Sequence, residues 1–227
     1  MINNCKDKIS IQVGLSGYSF KVESDGVVAS SGWLSADRVF SSPELQKRYD
    51  KVDISVFSPK FTLVPAQFFS PAAARQLLSE VVSVSEADHV EYAEVPELAS
   101  VLVYSNSIGE TLSKVLSETV LHADGIKAKP LPEVWYMLSD LKKVTEYNKI
   151  LASYKDGYLY LVIAQGKTLL LCNSFQAPDF TTAEYFIFLA MKKLQLNPEI
   201  SSICFRTSLE EEQELSLYRY FRSVEKL

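Results

Sequence analysis

One pattern, written twice, narrows the folds open to this chain. Residues 9–13 alternate apolar and polar side chains, residues 18–22 do the same, and only Gly14-Leu15-Ser16-Gly17 separates them. Period-two alternation sends one set of side chains to a core and the other away from it, so the pair is a β-hairpin. Asp25-Gly26 supplies a second tight turn before residues 27–33, making three antiparallel strands. The pattern recurs at residues 150–154, 158–164 and 168–175, three apolar runs joined by Lys155-Asp156-Gly157 and Gln165-Gly166. Each meander needs amphipathic elements to cover it, and such elements follow both.

Behind the first meander, Ser42-Pro43-Glu44 predicts a helix start reaching towards Tyr49, with proline at the first helical position. Residues 52–57 and 61–64 predict strands. Ser70-Pro71 opens a helix with Ala74, Leu77, Leu78, Val81 and Val82 on one stripe, and residues 90–95 and 100–104 predict further strands. Ser107 with Glu110 is a capping box for a helix that buries Ile108, Leu112, Val115 and Leu116. A strand over 126–131 and a helix over 132–141 complete the first half. Behind the second meander, Thr181 with Glu184 predicts a capped helix to Leu194, ended by Asn197-Pro198. A strand over 200–205 follows, and Ser208 with Glu211 caps a last helix carrying Leu217, Tyr218, Phe221 and Val224 on its apolar side. The lobes expected are residues 1–145, with insertions, and 146–227.

Composition removes several classes of function. Backbone cradles for phosphate are built from glycine-rich turns, and 8 Gly in 227 residues is about half the ordinary share. With 3 Cys and 2 His, metal clusters, disulfide frameworks and most histidine catalysis are poorly supplied. A net charge of −5 has the wrong sign for nucleic acid or an anionic membrane surface. The longest apolar runs, 158–164 and 185–191, fall far short of the ~20 residues of a membrane-spanning helix. The start has no apolar stretch of signal-peptide length, and the cysteines show no paired spacing, so a cytoplasmic chain without membrane insertion is expected.

Both halves run three antiparallel strands, then helix, strand and helix. This order resembles the ribonuclease-H-like unit, and two such units in tandem make the actin-like ATPase architecture, an α/β fold. More narrowly, the chain resembles a family of uncharacterised bacterial proteins, a domain of unknown function, with a degenerate actin-like fold. The resemblance rests on residues 9–20, on Thr62-Leu63-Val64-Pro65, on Val103-Tyr104-Ser105-Asn106 and on Leu159-Tyr160-Leu161-Val162. The second lobe as read lacks the last strand and helix of the unit and is expected to be incomplete.

The resemblance implies where chemistry would sit. Active members of the actin-like superfamily carry, in the first hairpin of each unit, an Asp leading into a glycine-containing turn that grips nucleotide phosphates. Here Gln12 stands at the first of these positions and Ser153 at the second, with Lys155 where a glycine is expected. Neutral side chains are poor substitutes for carboxylates beside Mg²⁺, and phosphoryl transfer depends mainly on metal and electrostatic positioning. The candidate degenerate phosphate turns are Gly14, Ser16 and Gly17 in the first hairpin and Lys155, Asp156 and Gly157 in the second.

Similar grounds speak against a two-metal nuclease. The strand ends Tyr104-Ser105-Asn106 and Phe205-Arg206-Thr207 contain no acid. His89 and His122 lie beside acids, but no nucleophile or ligand spacing accompanies them. Gly166-Lys167-Thr168 lacks the upstream glycines of a phosphate loop. Expected, then, is a non-catalytic interaction or scaffold protein with another protein as partner, with no catalytic residues, no metal and no cofactor. The alternative is a nucleotide-binding protein that takes ATP with Mg and hydrolyses it weakly or not at all.

Overall fold

The computed structural model describes residues 7–107 and 110–227. Strands β1 (Lys8–Gly14), β2 (Gly17–Ser24) and β3 (Val27–Leu34) come first, followed by two 3₁₀ segments, Ala36–Ser41 and Pro43–Gln46. Then come β4 (Arg48–Tyr49), β5 (Lys51–Val56), β6 (Phe61–Pro65), α1 (Ala74–Ser79), β7 (Val90–Val95) and β8 (Ser100–Ser105). Helix α2 (Glu110–Thr119), β9 (Leu121–His122), β10 (Leu131–Pro132) and α3 (Glu133–Asp140) precede the second meander. That meander is β11 (Asn148–Lys155), β12 (Tyr158–Gln165) and β13 (Thr168–Gln176), and α4 (Phe180–Lys193), β14 (Ser202–Phe205), α5 (Glu211–Tyr218) and β15 (Ser223–Lys226) complete the chain.

These elements form two compact units. One takes the chain up to Ser58 together with Glu86–His89 and Asn106–Glu133, and the other takes Pro59–Ser85, Val90–Ser105 and Val134–Leu227. The first unit is built on a sheet of order β10-β5-β1-β2-β3. Its meander is antiparallel, while β5 and β10 run parallel to β1 and to each other's direction. Ile9, Ile11 and Val13 point to one face, where Val52, Ile54 and Val56 of β5 and Leu116 of α2 join them in a core. Each such aliphatic side chain contributes about 1.5–3 kcal/mol by leaving water. The alternation read in the sequence therefore sets the face of the sheet.

The second unit repeats the design. Its main sheet has the order β13-β12-β11-β14-β15, with β14 parallel to β11 and β15 parallel to β14. Ile150, Ala152, Leu159, Leu161, Ile203 and Phe205 face a core closed by Ala183, Ile187 and Met191 of α4 and Leu217 of α5. A separate sheet, β6-β8-β7, belongs to this unit and packs on α1 through Val64, Val101, Val103 and Leu78. Strand for strand, then, the two five-stranded sheets have one topology.

Several local expectations are corrected. The fifth strand, read as missing from the second lobe, is present as β15, paired in register from Ser202↔Ser223 to Phe205↔Lys226. Phe221 and Val224 fit helical spacing, but α5 ends at Tyr218, and Val224 is buried from a strand instead. The helix predicted after Ser42 is a 3₁₀ turn, because the chain extends at once into β4, which pairs with β9. The strand predicted over 126–131 shrinks to β10: Pro130 and Pro132 remove ladder donors, and Ile126 is 62% exposed. The stripe on α1 ends early, and Val81 lies beyond the helix in solvent. The fourth strand of the first unit is β5, whereas Tyr104 ends a strand of the separate sheet. Ile108, predicted to be buried by α2, lies outside the described residues.

Candidate functional site

Because Ile9, Ile11 and Val13 face the core, Gln12 projects from the opposite face of β1. On β5, Ile54 and Val56 likewise leave Ser55 on that opposite face, and the parallel register sets Gln12 beside Ser55. β10 pairs Leu131 with Ser55, and the next turn of chain opens α3 at Glu133. Three strand ends and a helix start therefore converge on one carboxylate. Glu133 is wholly buried, Gln12 Nε2 donates to its Oε1 at 3.1 Å, and Ser55 Oγ donates to its Oε2.

A buried carboxylate without donors would cost several kcal/mol, whereas hydrogen bonds to a charged group contribute about 1.5–3 kcal/mol each. Its place in the first helical turn adds the favourable end of the helix dipole. An amide at position 12 suits this acceptor. A second carboxylate there would meet Glu133 as a like charge.

The first hairpin turn is committed to its own strand neighbours. Gly14 pairs with Gly17, and Ser16 Oγ accepts from Trp33 Nε1 at 3.2 Å. Gly17 has φ +147°, and a Cβ there would stand 2.0 Å from the Leu34 carbonyl oxygen, so β3 itself demands glycine. In the second hairpin, Asp156 and Gly157 have φ of 52° and 74°, the two positive values of a type I′ turn. The Ala177 N–H donates to Gly157 O at 2.8 Å. Lys155 is half-buried, and burial lowers its ammonium pKa while Asp156 opposes the shift. Ser153 is fully buried on the face of β11 opposite Ala152. The structure thus gathers Gly14, Ser16 and Gly17 in one turn and Lys155, Asp156 and Gly157 in another, the two turns belonging to different units.

Four polar residues escape a reading by motif. Ser55 and Glu133 complete the Gln12 cluster. In the second unit, Arg206 at the end of β14 forms an ion pair with buried Asp140, whose other oxygen takes Lys143 Nζ at 2.7 Å. The Arg206 guanidinium also lies 5.5 Å from the centre of the Tyr136 ring. The only sequence signal for Glu133 is an acid set in the apolar run Leu131-Pro132-Glu133-Val134-Trp135. Among the described residues no three His, Cys, Asp or Glu side chains come together as a metal set.

A protein-family profile described as "Protein of unknown function (DUF3822)" matches residues 3–224. The chain belongs to this family. Among solved structures it is similar to a Bacteroides thetaiotaomicron protein with an actin-like ATPase fold and unknown function. That match has a TM-score of 0.68 at 19% identity, over 100% of this chain and 94% of that one. It is also similar to the PilM-PilN type IV pilus biogenesis complex, with a TM-score of 0.52 at 12% identity, covering 97% of this chain and 88% of that one. No curated protein matches it in sequence. The family protein therefore has the actin-like ATPase fold, as residues 9–20 and the doubled meander imply, and its two like-ordered sheets are the ribonuclease-H-like halves of that fold. No helix among the described residues is long and apolar enough to cross a membrane.

Proposed function

We propose that this family protein is a non-catalytic interaction module in the cytoplasm, with another protein as its partner and no cofactor. The observation that carries the reading is the Gln12–Ser55–Glu133 cluster. Where an actin-like ATPase would need a carboxylate turned to metal and phosphate, an amide is turned to a carboxylate. Both oxygens of the wholly buried Glu133 are engaged by neutral donors, so a Mg²⁺ ion could use it only by displacing them. These residues do not fit a magnesium nucleotide. Ser16 and Gly17 have strand partners instead of a free concave face, which also speaks against a phosphate grip. Use of the same fold in the PilM-PilN complex supports a protein partner.

The rival is ATP with Mg held by Gly14, Ser16, Gly17, Lys155, Asp156 and Gly157. Calorimetric titration of the whole chain with ATP and Mg²⁺, alongside a phosphate-release assay, separates the two. No heat at millimolar nucleotide and no release above blank is the expected result. Heat with little or no turnover supports the rival, and release above blank removes the non-catalytic reading.

A further inference from the structure

Strand β3 closes one side of the first unit's sheet. Among the described residues no strand pairs with its outer side, and Val27, Val28, Ala29 and Ser30 are all exposed, Val27 to 69% and Val28 to 57%. An open edge offers its N–H and C=O groups to any extended chain, so folded proteins guard edges with charge, proline or a bulge. Other edges here follow that rule. β7 carries Glu91 and Glu94, β15 carries Glu225 and Lys226, and β6 and β10 end in Pro65 and Pro132. β13 is uncharged, but it is mostly half-buried and its Ser174 hydroxyl donates to the Pro59 carbonyl at 2.6 Å. β3 has neither charge nor proline. Its bulge, opposite Phe20 with Gly32 at φ +66°, lies in the second half of the strand and leaves residues 27–30 regularly paired with β2.

The hydrogen-bonding phase of that segment is fixed. Asp25 and Gly26, at φ 48° and 77°, make a two-residue turn, so Ser24 and Val27 exchange both backbone hydrogen bonds. Alternation then turns the backbone groups of Val27 and Ala29 inwards to β2 and those of Val28 and Ser30 outwards. Two outward residues flank Ala29, a pattern that reads the same from either end. A second copy laid antiparallel about Ala29 sets Val28 of each chain against Ser30 of the other, each pair exchanging two hydrogen bonds, with the two small Ala29 side chains facing one another on the axis. Charge selects the same direction. On β2, Glu23 stands beside Val28 and Lys21 beside Ser30. The antiparallel copy puts Glu23 of one chain and Lys21 of the other in one row of the joined sheet, about 14 Å apart at the backbone, a gap that two long side chains shorten. A parallel copy would line glutamate up with glutamate.

We propose that β3 is a self-association edge: two copies of this chain pair antiparallel about Ala29 and join their first-unit sheets edge to edge. The proposal goes beyond the interaction reading above and stands whether or not the chain turns over ATP. Residues 27–30 from each side bury far less than the ~800 Å² per partner of a standard interface, so the dimer forms weakly, at high micromolar to millimolar chain.

The test is sedimentation equilibrium of the full chain as wild type, Ala29→Glu and Ala29→Lys. Ala29 is exposed, and thermal unfolding is first shown to match wild type in both variants. Expected are a wild-type dimer, association weakened about tenfold or more in each variant because identical charges meet on the axis, and recovery to the wild-type level or above when the two variants are mixed in equal amounts. In amide hydrogen exchange, dimer formation should slow Val28 and Ser30 and leave Val27 and Ala29, already bonded to β2, as they are. A wild type that stays monomeric at millimolar concentration overturns the proposal, including where a foreign peptide strand takes the edge. So does association that neither variant weakens, or a loss in both variants that mixing does not repair.

Discussion

At position 12 an amide meets the carboxylate of Glu133, 3.1 Å from nitrogen to oxygen, in a site closed to water around that acid. Gln12→Glu would set two carboxylates against each other there. Like charges raise the pKa of the pair, so the folded state holds a proton that the unfolded state releases. The penalty is present above the ordinary carboxylate pKa and fades as pH falls and one group protonates. Denaturant unfolding of this variant is expected to show a loss of about 3 kcal/mol at neutral pH that shrinks markedly near pH 4. Equal losses at both pH values would mean that Gln12 acts by shape alone. Gln12 and Ser153 are legible in the sequence because each stands a fixed step before a hairpin turn. Ser55 and Glu133 are not, since only parallel pairing of β5 and β10 over a long crossover brings them alongside.

Helix α4 begins two residues earlier than the Thr181/Glu184 pair predicts. Asp179 is the N-cap, its Oδ1 accepting from the Thr182 N–H at 2.7 Å. A charged acceptor at this position outcompetes a hydroxyl two residues on, because it also opposes the helix dipole. The Asp179 carboxyl is held below its usual pKa by hydrogen bonds from Thr182. Asp179→Ala is expected to lower the unfolding midpoint, with Thr181→Ala nearly silent, in matched thermal unfolding. The opposite ranking would restore the sequence assignment. The last helix shows the same ambiguity, for Glu210 and Gln213 form its capping box where Ser208 and Glu211 also fit the spacing. Strands were easier to read than helix ends: Asp-Gly and Gln-Gly turns fix a hairpin locally, whereas several overlapping residue pairs can cap one helix. β15 was hidden because Leu217, Phe221 and Val224 satisfy a helical period that the chain abandons after Tyr218.

Across the molecule, the repeated order of meander, parallel fourth strand and parallel fifth strand was readable only as far as each lobe stayed contiguous. In the first half the β6-β7-β8 sheet intervenes, and in sequence its last strand passes for the fourth strand of the lobe. In the second half, β11, β14 and β15 follow with no inserted sheet, and this gives a buried reporter of the whole unit. Cys204 lies on β14 between β11 and β15, almost wholly buried. Burial first, and then the Glu225 and Glu146 charges, push its thiol up to about 12. At pH 8 only about one thiol in 10⁴ would be ionised, roughly a thousandfold fewer than for an ordinary cysteine, and the thiolate is the reacting form. In a Cys5→Ser/Cys172→Ser variant, labelling of Cys204 by a disulfide reagent should therefore wait on unfolding of its sheet. Its rate is expected to rise with denaturant in parallel with the loss of the unit's near-ultraviolet signal. Fast labelling in buffer at an unchanged signal would mean that β15 opens by itself, and that the fifth strand is an edge that comes and goes on an otherwise folded lobe.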